Sequence, residues 1–133
     1  MDERVLTDEN VQSLISAARM AWTRAYAHES GYRVGAAVLT QSGRIFAAAN
    51  VENKSYGLTI CAERAAVFKA VSEEGEAMRL RAIALASEGD KVTSPCGACR
   101  QVLFEFGPDA VVFFGRGSNR RKTLKSLLPD AFE

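Results

Sequence analysis

Apolar residues recur along this chain in two rhythms. From Thr7 to Tyr26 they fall at helical spacing: Val11, Leu14, Ile15, Ala18, Trp22 and Ala25 make one stripe, with polar residues between them. Thr7 is placed to cap that helix, and Asp8 and Glu9 stand at the positive end of its dipole. The pattern then changes. Val34 to Leu39 is a continuous apolar run of strand length, Gln41-Ser42-Gly43 is a turn, and Arg44 to Asn50 returns, which together predict a β-hairpin. Gly35 is a weak strand residue and marks a point where a neighbouring group comes close.

Asn53 to Leu58 reads as a loop. A second helix opens at Cys61, with Thr59 as a candidate cap and Ala62, Ala65, Ala66, Ala70 and Val71 along it, and it ends at Glu73-Glu74-Gly75. Leu80 to Ala86 is a buried strand and Glu88 to Thr93 a loop. Cys96 to Phe106 is a third helix, closed by Gly107-Pro108, and Ala110 to Phe114 is another strand. Gly115 to Lys122 reads as a basic, flexible turn, and Thr123 to Leu128 as a short helix stopped by Pro129. Strands this apolar need cover on both faces. The order α-β-β-α-β-α-β therefore predicts an α/β fold, a three-layer α/β/α sandwich on a mixed sheet, in a single domain over 1–133.

Composition excludes more than it assigns. A chain of 133 residues with a net charge of +1 shows no electrostatic bias toward nucleic acid. No apolar run approaches the roughly 20 residues of a membrane span. Met1-Asp2-Glu3-Arg4 has no apolar core of the export-signal kind. Three cysteines cannot all pair within one chain, so reduced thiols in the cytoplasm are expected.

All three cysteines lie in two short stretches, Thr59-Ile60-Cys61-Ala62-Glu63-Arg64 and Ser94-Pro95-Cys96-Gly97-Ala98-Cys99. Three sulfurs fill three positions around a tetrahedral Zn²⁺ and leave the fourth open for a reactive water, whereas a structural site would be closed by four ligands. Cys61 and Cys96 sit at predicted helix N-termini, where unpaired N–H groups favour thiolate. Cys96 and Cys99, three apart, face the same way. Three small buried residues are the plainer alternative, and the proximity of Glu63 and Pro95 argues against it. Glu63 is close enough to serve the site without ligating. Three thiolates outweigh Zn²⁺ by one negative charge, and Arg64 is the candidate donor that offsets it. Asn50 and Glu52, two apart at a strand end, point to one side, as a solvated edge or as a binding pair. His28, the only histidine, stands in a polar loop with no ligand partner at useful spacing, so no metal role is expected for it.

Three cysteines with a non-ligand glutamate and a P-C-x-x-C element match the signature of the zinc deaminases. Asn50-Val51-Glu52-Asn53, Ser55-Tyr56-Gly57-Leu58, Cys61-Ala62-Glu63-Arg64, Ser94 to Leu103 and the closing Leu127 to Phe132 resemble the small homotetrameric cytidine deaminases, from about Val34 to Phe132. The resemblance implies a five-stranded sheet, its fifth strand near Arg120 to Thr123. It implies one zinc per chain on Cys61, Cys96 and Cys99. Glu63 would be the shuttle that carries the proton of an activated water to N3 of the pyrimidine, and Arg64 the donor to the sulfurs. Asn50 and Glu52 would hold the ribose hydroxyls, the Ala62 N–H the pyrimidine O2, and Tyr32 would stack on the base. Phe132 would reach a neighbouring subunit's site in a homotetramer with shared sites.

The expected reaction is hydrolytic deamination of cytidine and deoxycytidine to uridine and deoxyuridine, in pyrimidine salvage. The rivals are a deaminase of modified cytosine nucleosides, including the blasticidin S type, and a non-catalytic zinc-binding interaction module. One segment departs from the family pattern: where P-Y-S-x-F-P-V-G is usual, this chain has His28-Glu29-Ser30-Gly31-Tyr32-Arg33-Val34-Gly35. Losing both prolines and gaining a glycine predicts a looser loop at the pocket mouth.

Overall fold

The computed structural model describes residues 6–88 and 94–132. The polar residues 1–4 and most of the expected loop from Glu88 to Thr93 lie outside them. Thr7 caps the first helix as its position indicates: its Oγ1 accepts the Asn10 N–H at 3.1 Å, and α1 runs Asp8–Trp22. The helix stops short of Tyr26 because that residue is drawn into other pairing. Its N–H donates to the Asn50 carbonyl at 3.0 Å, and its own carbonyl accepts the Glu52 N–H at 2.8 Å. A long-range bridge here overrides local helical preference.

The hairpin forms as β1, Val34–Thr40, and β2, Ile45–Ala49. Then come α2 (Ala62–Glu74), β3 (Leu80–Ser87), α3 (Gly97–Phe106), β4 (Val111–Phe114), β5 (Arg120–Thr123) and α4 (Leu124–Leu127). The sheet order is β2-β1-β3-β4-β5, with β3 and β4 parallel and the other pairs antiparallel. The mixed five-stranded sheet is thus present. Its fifth strand lies where the residue pattern reads as a flexible turn. Arg120, Arg121 and Lys122 offer no apolar alternation, and every residue of β5 is exposed. A charged edge of this kind discourages pairing with another sheet. Arg120 and Arg121 lie over the rings of Phe114 and Phe113, at 5.3 and 5.4 Å, and cover the neighbouring strand with their guanidinium planes.

Alternation along the strands divides the core in two. Ala36, Val38, Ile83, Leu85, Val112 and Phe114 face α2, α3 and α4, where they meet Ala66, Val67, Leu103 and Leu124. Ala37, Leu39, Ala82, Ala84 and Phe113 face α1, where they meet Leu14 and Ala18. The side toward α1 is mostly alanine, so the helix lies low on the sheet. At Gly35 it lies lower still: a Cβ there would stand 2.5 Å from the Trp22 nitrogen and nearer yet to the Ala18 carbonyl oxygen. The close approach expected of this glycine is therefore its packing role.

Val34 pairs with Ser87 and Gly35 with Ala49, so the start of β1 and the ends of β2 and β3 share one end of the sheet. The connections that leave β2 and β3 there lead into α2 and α3, and both helix N-termini open toward that end. Among the described residues no helix is long and apolar enough to cross a membrane.

Candidate active site

The cysteines expected to share a metal are brought together. The sulfurs of Cys61, Cys96 and Cys99 all lie within 4.8 Å of one another, and among the described residues no fourth His, Cys, Asp or Glu joins the group. Local structure accounts for the convergence. Cys61 is the N-cap of α2 and Cys96 the N-cap of α3, whose Sγ accepts the Cys99 N–H at 3.4 Å. Thr59 does not cap α2. Its hydroxyl accepts the Asn53 N–H at 3.1 Å and ties the preceding loop instead.

Arg64 Nη2 donates to Cys61 Sγ at 3.4 Å, the contact expected of a charge-offsetting donor. The hydrogen bond from Cys99 and the neighbouring guanidinium hold the Cys61 thiol down at about 5, while bonding to Cys61 and burial push Cys99 well above the usual thiol range. A divalent ion bound among them would let all three sulfurs be thiolate together. The donor set fits zinc: soft sulfurs, three of them, with a position left over. Glu63 stands outside the ligand group, in the first turn of α2. Its side chain is buried, and burial, followed by the charge on Cys61, raises its carboxyl to about 7. A carboxyl titrating near neutrality can both take and give a proton.

Ala62 is fully buried at the first position of α2, where the backbone N–H has no intrahelical acceptor. Asn50 is buried and Glu52 half-buried, both at the end of β2, and both turn to the segment from Glu29 to Val34. Asn50 Oδ1 accepts the Val34 N–H at 2.9 Å, and its Nδ2 donates to the Tyr32 carbonyl at 3.1 Å. Glu52 Oε1 accepts the N–H groups of Glu29 and Ser30, each at 2.9 Å. The Ser30 hydroxyl donates to Glu52 Oε2 at 2.5 Å. Gly31, at φ +71°, closes a turn with its N–H on the Ala27 carbonyl at 2.8 Å. The loop expected to be loose for want of prolines is pinned by side chains, because Asn50 and Glu52 bond its backbone from the strand end.

Tyr32 is half-buried in that loop. Phe132 is 79% exposed, with no intrachain cover to match its size. His28 packs its ring against Tyr26, centroids 4.3 Å apart, and takes no part in the sulfur group. A cavity of about 680 Å³ lies on the α1 side, lined by Arg19, Trp22, Arg33 and Gly117 among others, and it contains none of the sulfurs.

One residue with a large share in the site gave no signal in the pattern. Arg100, next to Cys99, donates from Nε to the Pro95 carbonyl at 2.8 Å and from Nη1 to the Leu127 carbonyl at 2.8 Å. Its Nη2 reaches Ser94 Oγ at 3.2 Å. It fastens the turn that carries Cys96 to the end of α4. An arginine in an amphipathic helix reads as surface; its place beside Cys99, within the Ser94 to Leu103 stretch that carries the resemblance, was the signal that could have found it.

Comparison with known proteins agrees with this geometry. Residues 8–115 match the cytidine and deoxycytidylate deaminase zinc-binding region. A cytidine deaminase from Halalkalibacterium halodurans is 45% identical over 124 residues, 91% of this chain and 92% of that protein. One from Mycobacterium tuberculosis is 42% identical over 127 residues, 96% of this chain and 92% of that protein. The crystal structure of cytidine deaminase from Burkholderia pseudomallei superposes with a TM-score of 0.83 at 44% identity, covering 96% of this chain and all of that one. With three converging sulfurs, a buried glutamate beside them and these likenesses over nearly the whole length, the chain belongs to the zinc-dependent cytidine and deoxycytidylate deaminase family.

Proposed function

We propose that this chain catalyses the hydrolytic deamination of cytidine and deoxycytidine, giving uridine or deoxyuridine and ammonia, and so serves pyrimidine salvage. The observation that carries the reading is the convergence of Cys61, Cys96 and Cys99 beside the buried carboxyl of Glu63. The three sulfurs would hold one zinc ion, which when bound supplies a Lewis acid that activates water at neutral pH. Glu63 takes the proton that the attacking water gives up as oxygen adds to C4. It delivers that proton to N3, then assists protonation of the amino group, which leaves as ammonia. Burial suits Glu63 to this shuttle by raising its proton affinity toward the working pH. Arg64 offsets the negative charge of the sulfurs through Cys61. The Ala62 N–H is the donor for the pyrimidine O2, Asn50 and Glu52 meet the sugar hydroxyls, and Tyr32 stacks on the base.

A single catalytic domain, reduced thiols and a cytoplasmic setting complete the proposal. Assembly is part of it: the large side chains of Tyr56, Leu58 and Phe132 are 76%, 65% and 79% exposed. We assign them to contacts in a homotetramer whose sites are shared. Light scattering should give the mass of four chains, and removing residues 131–133 should weaken substrate binding; a fully active monomer would refute the assignment.

The test of the reaction is ammonia release by zinc-loaded protein from cytidine, deoxycytidine, free cytosine, adenosine and blasticidin S. Cytidine and deoxycytidine should lead by a wide margin. A lead by blasticidin S would favour the modified-nucleoside deaminases. Zinc bound with no ammonia from any of them would leave a binding module.

A further inference from the structure

The loop between α1 and β1 holds a hydroxyl that no step of the deamination uses. Ser30 Oγ donates to Glu52 Oε2 at 2.5 Å and accepts the Tyr32 N–H at 2.9 Å. Both acceptor positions of Glu52 Oε1 are filled by the N–H groups of Glu29 and Ser30, each at 2.9 Å. A carboxylate offers about four such positions. Among the described residues three are taken, all by this loop, and the one left open is on Oε2, beside the Ser30 hydroxyl. The peptide groups of Tyr32 are held as well: the N–H on Ser30, the carbonyl on Asn50 Nδ2 at 3.1 Å. Ser30 Oγ therefore joins Glu52 directly to the Tyr32 backbone.

We propose that Ser30 is a positioning residue for the sugar subsite: by joining Glu52 Oε2 to the Tyr32 peptide, its hydroxyl fixes the one free acceptor of Glu52 relative to the Tyr32 side chain. Sugar and base are then recognised by a single preassembled unit. The inference rests on the nucleoside reading above and adds to it a residue that touches neither sugar nor base.

The electrostatics of the loop agree. The Ser30 hydroxyl is the foremost cause holding the Glu52 carboxyl below its usual range, ahead of the N–H groups and a smaller contribution from His28. Besides His28, the charged or titratable groups that face Glu52 around its cavity are Glu29, Lys54 and Tyr26. The Ser30 hydroxyl thus favours the ionised form of Glu52, the form that accepts a hydroxyl.

Ser30 contacts no reacting atom, so its loss should weaken ground state and transition state alike. That raises KM and leaves kcat alone. An unfastened Glu52 must also be ordered during binding, which costs affinity.

The experiment compares native protein with Ser30→Ala and Ser30→Thr. It measures kcat and KM for cytidine, calorimetric affinity for uridine and for uracil, and zinc content. Ser30→Ala should raise KM and weaken uridine by about tenfold, the factor that one lost hydrogen bond of about 1.4 kcal/mol gives. Its kcat should stay within about twofold, with uracil affinity and zinc unchanged. Ser30→Thr keeps the hydroxyl and should restore uridine binding to within about threefold of native. The proposal is overturned if Ser30→Ala binds uridine as the native protein does, if uracil weakens as much as uridine, or if Ser30→Thr fails to rescue. A cycle with Glu52→Gln adds an independent check: additive losses for the two changes would mean that Ser30 does not act through Glu52. A native protein that binds uridine no better than uracil would instead bring down the nucleoside reading itself.

Discussion

The site has two halves held by different means. The sulfur half is built on helix ends: Cys61 and Cys96 each cap a helix, and Arg64 and Arg100 brace them. The half we propose to meet the sugar, called the sugar half below, is built on a strand end, where Asn50 and Glu52 grip a loop with no regular structure through bonds to its backbone. In the first, position follows from secondary structure, and the thiolate on Cys61 is favoured by Cys99 and the Arg64 guanidinium. In the second, the side chains expected to meet a ligand are also the fasteners of the loop that frames it. Chemistry is thus placed on rigid elements, and recognition on a hydrogen-bonded assembly that tolerates more change.

The largest effect should come from breaking the sulfur half. Cys96→Ala with Cys99→Ala removes two of three ligands, and metal analysis should show zinc lost and activity with it. Full zinc content in that variant would sink the assignment. Glu63→Gln comes next, since it keeps shape and ligands but removes the shuttle; kcat should fall by several orders of magnitude while zinc and the melting temperature hold. Near-normal turnover by zinc-loaded Glu63→Gln would show that another group moves the proton.

The sugar half should break more gently. Glu52→Ala should lower kcat/KM for cytidine by roughly 5- to 150-fold, the range of about 1–3 kcal/mol for an abandoned polar partner, and leave free cytosine almost unaffected. Equal losses on both substrates would make Glu52 a loop fastener only. Arg100→Gln tests the brace. It gives up contacts to Pro95, Leu127 and Ser94 and should cost about 1–3 kcal/mol of stability in thermal melts. Zinc should also leave it more readily on addition of a chelator. The smallest effect concerns pH. The Glu52 carboxyl is held below its usual value, so what its ionised form contributes is complete above that value and fades only as pH falls through the lowered one. The KM for cytidine should therefore be flat from pH 7 down to about 5 as far as Glu52 is concerned, and Ser30→Ala should move the onset of its acid rise upward.

The two halves were not equally legible in the sequence. Cysteine spacing, the adjacent glutamate and the helix starts pointed to the sulfur half directly, because the chemistry there depends on residue types at fixed intervals. The hairpin was legible from its continuous apolar run and turn residues, and α2 and α3 from apolar helix formers following a cysteine. Asn50 and Glu52 stood open between edge and binding pair on spacing alone, since all but one of their partners in the segment from Glu29 to Val34, the Ser30 hydroxyl, are backbone groups, which no residue code reveals. The loop between them and α1 was expected to be loose by counting prolines, a local criterion, while its order comes from contacts some twenty residues away. β5 escaped because an exposed, charged edge strand has neither of the rhythms that mark buried elements.

The clearance at Gly35 has a consequence beyond packing. The last turn of α1 rests on this residue, and Val34 next to it is the point at which Asn50 grips the loop. Helix, strand and loop thus behave as a balance beam with its pivot where a methyl group is missing. Any side chain at 35 must lift the helix or depress the strand, and either motion is delivered to the loop at Tyr32. A side chain placed at 35, itself touching none of the residues of the site, would then disturb the loop that Asn50 and Glu52 hold.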